Sequence, residues 1–153
     1  MAIKRVRNNI PLLISVLLLA LSLTQVDYKT DYNDPTANET SGALEFLLGW
    51  LGIFNLPYGI PWLANPLLIT SWWFFFKKKT ARALILSFLA SMFSASFLLF
   101  HKMPANEGGD TANIIAIGPG YWLWLASCAT FFLAALITYC IEQIKHSAIK
   151  NQP

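Results

Sequence analysis

The stretch SWWFFFKKKTAR, from Ser71 to Arg82, constrains this chain more than any other. Five aromatic rings stand side by side, and three lysines follow them without a spacer. A helix or strand with one face in water does not have this pattern, because its apolar and polar positions alternate with a short period. Aromatic rings at headgroup depth, followed by lysines in water, are typical of the end of a membrane-spanning helix. The stretch therefore predicts that the chain lies in a lipid bilayer.

The composition supports the same prediction. Of the 153 residues, 56% are hydrophobic and 12% are charged, whereas an ordinary soluble domain has about 25% charged residues. The apolar residues form four blocks, at about 10–26, 57–76, 83–100 and 121–141, and a spanning helix needs about 20 mostly apolar residues. We predict one all-α membrane domain over residues 1–153. It would be a polytopic, multi-pass four-helix bundle with four transmembrane helices.

The lysines and arginines predict the orientation of these helices. In membrane proteins they collect on the cytoplasmic side of short loops. With the N-terminus inside, only Lys29 and Lys102 of the 11 would lie outside. The others are Lys4, Arg5, Arg7, Lys77, Lys78, Lys79, Arg82, Lys145 and Lys150. We therefore predict that both termini are cytoplasmic and that loops 27–42 and 101–120 lie outside.

Two apolar segments have more than one interpretation. MAIKRVR and the apolar run after it also resemble a secretory signal peptide, with Ala20 and Ser22 as small residues before a cleavage site. A retained anchor and a cleaved signal therefore both stay open. Residues 43–56 are too short to span the bilayer, and they include Glu45, Gly49 and Gly52. We predict a short interfacial helix on the outer face there, with a re-entrant segment as the alternative.

Small residues recur every four positions in the last two predicted spans. Membrane helices associate through such faces, because small side chains let the two backbones approach closely. We predict that the two faces pack on each other within the chain, and a flat face for a partner subunit is the alternative. The packing residues are Ala83, Ser87, Ser91 and Ala95 in the third span and Ala126, Thr130, Ala134 and Thr138 in the fourth.

Aromatic and acidic residues concentrate on the predicted outer side. Trp and Tyr are enriched at binding hot spots, and their alternative role is the aromatic belt of the membrane interface. The candidate outer interaction surface consists of Glu45, Trp50, Trp62, Glu107, Asp110, Tyr121, Trp122 and Trp124. We expect it to bind another membrane or periplasmic protein, or a second copy of the chain.

The sequence lacks the patterns of several kinds of chemistry. Ser127 and Cys128 have no neighbouring base, so we predict no catalytic residue and no enzymatic activity. Glu107 and Asp110 are too few for a calcium site, which takes roughly six to eight oxygens, and we predict no metal and no cofactor. No basic helix carries interleaved aromatic residues, so no nucleic-acid partner is expected. The predicted spans contain no charged residue, which argues against a transporter.

The pattern GWLGIF…PWLANPLL, followed by EGG…GPGYWLWLAS, resembles small uncharacterised bacterial inner-membrane proteins with four spans. The resemblance covers about residues 42–127. It implies a bacterial inner membrane with the periplasm outside, and it implies no activity. We expect a non-enzymatic accessory or interaction protein with a periplasm-facing surface. The alternatives are an immunity protein against a membrane-active toxin, and a small transporter or channel component that works as an oligomer.

Overall fold

The computed structural model describes residues 9–32, 39–54, 57–105 and 110–150. These residues form five α-helices and four strands, with short 3-10 segments. In chain order they are α1 (Ile10–Ser22), β1 (Val26–Thr30), β2 (Glu39–Ser41), α2 (Gly42–Leu48), a 3-10 helix (Gly49–Phe54), a 3-10 turn (Pro61–Leu63), α3 (Ala64–Phe76), α4 (Thr80–Ser96), a 3-10 turn (Phe97–Leu99), β3 (Lys102–Pro104), β4 (Thr111–Ile117) and α5 (Pro119–Lys150).

The strands form one antiparallel sheet in the order β2-β1-β4-β3. Tyr28 of β1 lies opposite Thr40 of β2 and Ile117 of β4, so β1 joins two parts of the chain that are far apart in sequence. The prediction of an all-α fold is therefore wrong, since the predicted loops 27–42 and 101–120 contain this sheet. Hydropathy does not detect such strands, because they are short and their pairing is between distant segments.

The prediction of four transmembrane helices is also wrong. Two described helices are long and apolar enough to cross a membrane, Thr80–Leu99 and Pro119–Lys150. α1 and α3 have 13 residues each, and at 1.5 Å per residue each is about 20 Å long, shorter than the hydrocarbon core of about 30 Å. The first predicted span loses its last residues to a turn and β1, and the second loses its first residues to turns at 57–63.

The four longer helices pack side by side. α5 packs against both α1 and α4, and α4 also packs against α3. Their shared core contains Leu68 and Phe75 of α3, Ala90 of α4 and Phe131 of α5, all essentially inaccessible to solvent. The Phe75 and Phe131 rings meet edge to face with centroids 5.3 Å apart, a favoured arrangement for aromatic pairs.

A second cluster joins the sheet to one end of the helices. The Phe97 ring lies between Tyr28 of β1 and Tyr121 of α5, with centroid separations of 5.3 Å and 5.0 Å. Met103 of β3 completes this buried group. The sheet is therefore packed against the bundle rather than standing apart from it, and we name this part of the molecule the sheet end.

The opposite end contains the turn between α3 and α4. The Lys78 N–H donates to the Phe75 carbonyl at 3.0 Å, and the Lys79 N–H donates to the Phe74 carbonyl at 2.9 Å. This pair of bonds defines a Schellman motif, which needs a residue in the left-handed conformation. Lys78 occupies that position with φ of 61°. We name this part the basic end, since Lys77, Lys79 and Arg82 also lie there.

Candidate functional site

The site begins where α1 turns into β1. Ser22, the last residue of α1, donates its hydroxyl to the Leu19 carbonyl at 2.7 Å, and the Gln25 N–H donates to the Ser22 carbonyl at 3.0 Å. The Gly42 N–H donates to the Gln25 carbonyl at 2.9 Å. This bond holds the start of α2 against the turn, and a Cβ on Gly42 would overlap the Ser22 carbonyl oxygen.

Glycines also bring the start of α5 against β1. The Gly118 N–H donates to the Asp27 carbonyl at 2.7 Å. A Cβ on Gly118 would overlap the Val26 carbonyl oxygen, and a Cβ on Gly120 would overlap Oδ1 of Asp27. Gly118 and Gly120 therefore allow the start of α5 to approach β1 closely, since only glycine leaves the space that this approach requires.

Asp27 lies at the centre of these contacts. It is 8% exposed, and its Oδ1 is buried with no hydrogen-bond partner among the described residues. Burial, and after it the charge of Glu45, raises the pKa of Asp27 to about 7. Burial also raises the pKa of Glu45. A buried, charged carboxylate oxygen that accepts no hydrogen bond is costly, so a nearby cation would stabilise the charged forms of Asp27 and Glu45.

The two carboxyl groups line a cavity of about 30 Å³ between the sheet and the helices. This volume is enough for one or two water molecules. The polar side chains on its wall come from five elements. They are Ser22 of α1, Asp27 and Tyr28 of β1, Glu45 of α2, Asn65 of α3 and Tyr121 of α5, together with Tyr58 and Trp62 before α3 and Trp124 of α5.

Hydrogen bonds fix the aromatic part of this wall. The Trp124 indole N–H donates to Oδ1 of Asn65 at 2.8 Å, and the Trp62 indole N–H donates to the Phe46 carbonyl at 2.9 Å. The Tyr121 hydroxyl donates to the Ser94 carbonyl at 3.1 Å. The N–H and O–H donors of these three rings are therefore already used. The rings present their surfaces, rather than free donors, to the cavity.

The structure brings together half of the predicted outer-surface residues. Glu45, Trp62, Tyr121 and Trp124 all line the cavity. Trp50 and Trp122 lie at the same end of the molecule but on its surface, 43% and 51% exposed. Asp110 precedes β4 and is exposed. Glu107 lies outside the described residues.

The predicted packing residues fall on two helices that contact each other. Ala83 and Ser87 of α4 are fully buried, and the buried stripe continues at Ala90 and Ser94. Half-buried positions on α4 and α5 account for the other predicted residues, which are Ser91, Ala95, Ala126, Thr130, Ala134 and Thr138. The fully buried stripe of α5 passes through Ser127, Cys128, Phe131 and Ala135.

Asp27 of the site and the buried Ser15 of α1 were not singled out from the sequence. Asp27 follows an apolar block and precedes Tyr28 and Lys29, which is an ordinary position for a solvated loop residue. Its alternation with Val26 and Tyr28 is a weak strand signal. Ser15 was also missed, although its hydroxyl donates to the Ser127 carbonyl at 2.9 Å and the Ser127 hydroxyl donates to the Ser15 carbonyl at 2.8 Å.

No family model, no curated protein and no solved structure matches this chain. The site must therefore be interpreted from its own geometry. Within the described residues, no group of three or more His, Cys, Asp or Glu side chains could hold a metal ion. What the arrangement offers is a small, partly aromatic cavity with two carboxyl groups, which suits a small positively charged group.

Proposed function

We propose that this chain is a non-enzymatic interaction protein of the bacterial inner membrane. α4 and α5 cross the bilayer as an antiparallel pair, the sheet end faces the periplasm and the basic end faces the cytoplasm. The sheet end binds another membrane or periplasmic protein.

The exposed apolar surface of α4 and α5 is the observation that carries this proposal. Only 28% of the most apolar stretch of α4 with its 3-10 turn, and 22% of that of α5, is buried inside the molecule. The core helix of a soluble protein would bury most of such a stretch, because exposed apolar surface costs about 25 cal/mol per Å² in water. Lipid tails remove this cost.

The direction of the helices supports the proposed orientation. Phe88 of α4 contacts Phe132 of α5 with centroids 5.5 Å apart, and Tyr121 of α5 contacts Phe97 near the other end. The two helices are therefore antiparallel, and the start of α4 and the end of α5 both lie at the basic end. Described cations there are Lys77, Lys78, Lys79, Arg82, Lys145 and Lys150, whereas the sheet end has Lys29 and Lys102. This distribution favours a cytoplasmic basic end.

The contacts of α1 favour its retention in the mature protein. Besides the two bonds with Ser127, Ser15 accepts a hydrogen bond from the Trp72 indole N–H at 3.2 Å. Cleavage before residue 27 would leave Ser127 and Trp72 without these partners in the bundle. α1 therefore fits an anchor that packs beside α5 better than a signal that is removed.

The surface proposed for a partner protein lies on α2 and the 3-10 helix after it. Leu47 is 66% exposed, Trp50 is 43% exposed and Phe54 is 79% exposed. Trp50 and Phe54 meet edge to face with centroids 6.4 Å apart. Trp122 adds a fourth large exposed side chain at the same end, and aromatic side chains of this kind dominate binding hot spots.

Thiol labelling tests the orientation. Single cysteines at Thr111 and at Lys78, in a chain whose Cys128 and Cys140 are changed to serine, report the two ends. We expect a membrane-impermeant thiol reagent to label Thr111→Cys in intact spheroplasts and Lys78→Cys only after permeabilisation. The reverse pattern, or recovery of the chain in the soluble fraction, would contradict the proposal.

Photo-crosslinking tests the binding surface. A photoreactive amino acid replaces Trp50 at the sheet end or Trp73 at the basic end, and both positions are exposed. We expect a discrete protein adduct from position 50, identified by mass spectrometry, and none from position 73. Lipid adducts alone from both positions would show that Trp50 serves only as a membrane anchor.

A further inference from the structure

We infer that the cavity between Asp27 and Glu45 is a binding site for a primary ammonium group, supplied by a small soluble amine or by the headgroup of an aminophospholipid. The inference goes beyond the proposed function and does not depend on the orientation in the membrane. It requires only that the cavity is formed as described.

The first argument is the unmatched negative charge. Asp27 lines the cavity and is more than nine-tenths buried, and its Oδ1 accepts no hydrogen bond from the described residues. Glu45 lies on the same wall. Of the described residues that line the cavity, none is Lys, Arg or His. Lys29, on the same strand as Asp27, forms an ion pair with Glu39 instead.

The second argument is size. The cavity of about 30 Å³ has room for one or two water-sized groups, and an ammonium group has about the size of a water molecule. A guanidinium or a quaternary ammonium group is larger than this space. A calcium ion needs roughly six to eight oxygen ligands, and the cavity supplies two carboxyl groups.

The third argument is the match of donors and acceptors. A primary ammonium group has three N–H donors and no acceptor. Asp27 and Glu45 supply two acceptors, and Oδ1 of Asn65 keeps a second lone pair after it accepts from Trp124. The Tyr28 and Trp62 rings also line the cavity, and aromatic faces attract cations.

Competition with protons gives the site a distinctive pH dependence. The described titratable groups that line the cavity with Asp27 are Glu45 of α2 and the tyrosines 28, 58 and 121, while Glu39 of β2 is paired with Lys29. The pKa of Asp27 is about 7, so a proton occupies the carboxyl pair in mild acid and an ammonium ion must displace it. Amine binding therefore strengthens as the pH rises from about 6 to about 8.5.

The test is thermal unfolding of the purified full chain in detergent, with ethylammonium chloride as the probe at constant ionic strength. At ten times the dissociation constant we expect the melting temperature to rise by about 3–6 °C. The rise should be larger at about pH 8.5 than at about pH 6. Tetramethylammonium chloride is the size control and should give no rise.

Three variants make the test specific. Asp27→Asn and Glu45→Gln should each remove the ethylammonium effect, and having two keeps the test decisive if one of them does not fold. Asp31→Asn removes an exposed carboxylate from the residue after β1 and should keep the effect. An equal rise in the wild type and in either cavity variant, or no rise in the wild type, would overturn the inference.

Nanodiscs identify the source of the amine. If a lipid headgroup occupies the site, phosphatidylethanolamine discs should weaken the ethylammonium effect relative to phosphatidylcholine discs. If the effect is equal in both, the natural ligand is a soluble amine. Both results keep the binding site, and they separate its two sources.

Discussion

The two ends of the helix bundle differ in how they are built. The basic end contains a turn of three residues, 77–79, whose backbone hydrogen bonds all join positions close in sequence. The sheet end joins α1, β1, α2, β4 and the start of α5, and its bonds reach from Gln25 to Gly42 and from Asp27 to Gly118. The basic end therefore follows from local sequence, whereas the sheet end depends on pairing between distant segments.

The two ends also differ in whether their charged residues are exposed or buried. At the basic end the cations are exposed, and Nζ of Lys77 lies 4.7 Å from the centroid of the Trp73 ring. At the sheet end Asp27 is buried beside Glu45, and its pKa is raised. Exposed charges cost little and are screened, whereas a buried charge without a partner is costly. Substitutions at the sheet end should accordingly have the larger effects.

The largest effect is expected from Gly118→Ala. The added Cβ would overlap the Val26 carbonyl oxygen, which is backbone in β1 and cannot rotate away. Since α5 would have to move off the sheet, we expect the free energy of unfolding to fall by about 3 kcal/mol or more. Denaturant unfolding in detergent, followed by tryptophan fluorescence, measures it.

Ala116→Val is the matched control for this substitution. Ala116 is an exposed residue of β4, two positions earlier in the chain. The larger side chain points into open space, so we expect a change within about 0.5 kcal/mol. A similar loss of stability in both variants would show that the close approach at Gly118 is unimportant.

The next effect concerns pH. The folded chain binds a proton on Asp27 up to about pH 7, whereas the unfolded chain loses it near the usual aspartate pKa of 3.8. This contribution to stability is complete below the unfolded pKa and is lost as the pH rises through the folded pKa. The free energy of unfolding should therefore fall by about 2–4 kcal/mol between about pH 4 and pH 8.

Asp27→Asn should remove this slope and make the chain more stable than the wild type at about pH 8. Asp31 is the control with the opposite sign. Its carboxylate accepts hydrogen bonds at 2.7 Å from the N–H and the side-chain amide of Asn113, and these bonds lower its pKa. Its contribution is lost in acid, so Asp31→Asn should leave the slope near pH 7 unchanged. An unchanged slope in Asp27→Asn would contradict the assignment.

The contrast between the ends explains how much the sequence predicts. The three lysines Lys77–Lys79 after five aromatic rings predict a helix end, because residues close in sequence are enough to determine it. Glu45, Trp62, Tyr121 and Trp124 could be chosen by residue type and predicted side. That these four residues line one cavity could not be predicted, because the cavity depends on the pairing of β1 with β4. Asp27 has no local signal of burial, since its surroundings come from residues 42–45 and 118–121.

The smallest effect is expected at the basic end, from Lys78→Gly. Lys78 holds φ of 61° in the Schellman motif. A side chain in this left-handed conformation costs about 1–2 kcal/mol, and glycine avoids that cost but loses more backbone entropy on folding. The net result should be a gain of about 0.5–1 kcal/mol in the free energy of unfolding.

Lys77→Gly, one residue earlier and at ordinary negative φ of −74°, should instead destabilise the chain, because glycine brings only the entropic cost there. Thermal unfolding of the two variants side by side separates these signs. Two losses of equal size would show that the turn does not impose the left-handed conformation, and the basic end would then be less sharply defined than the sheet end.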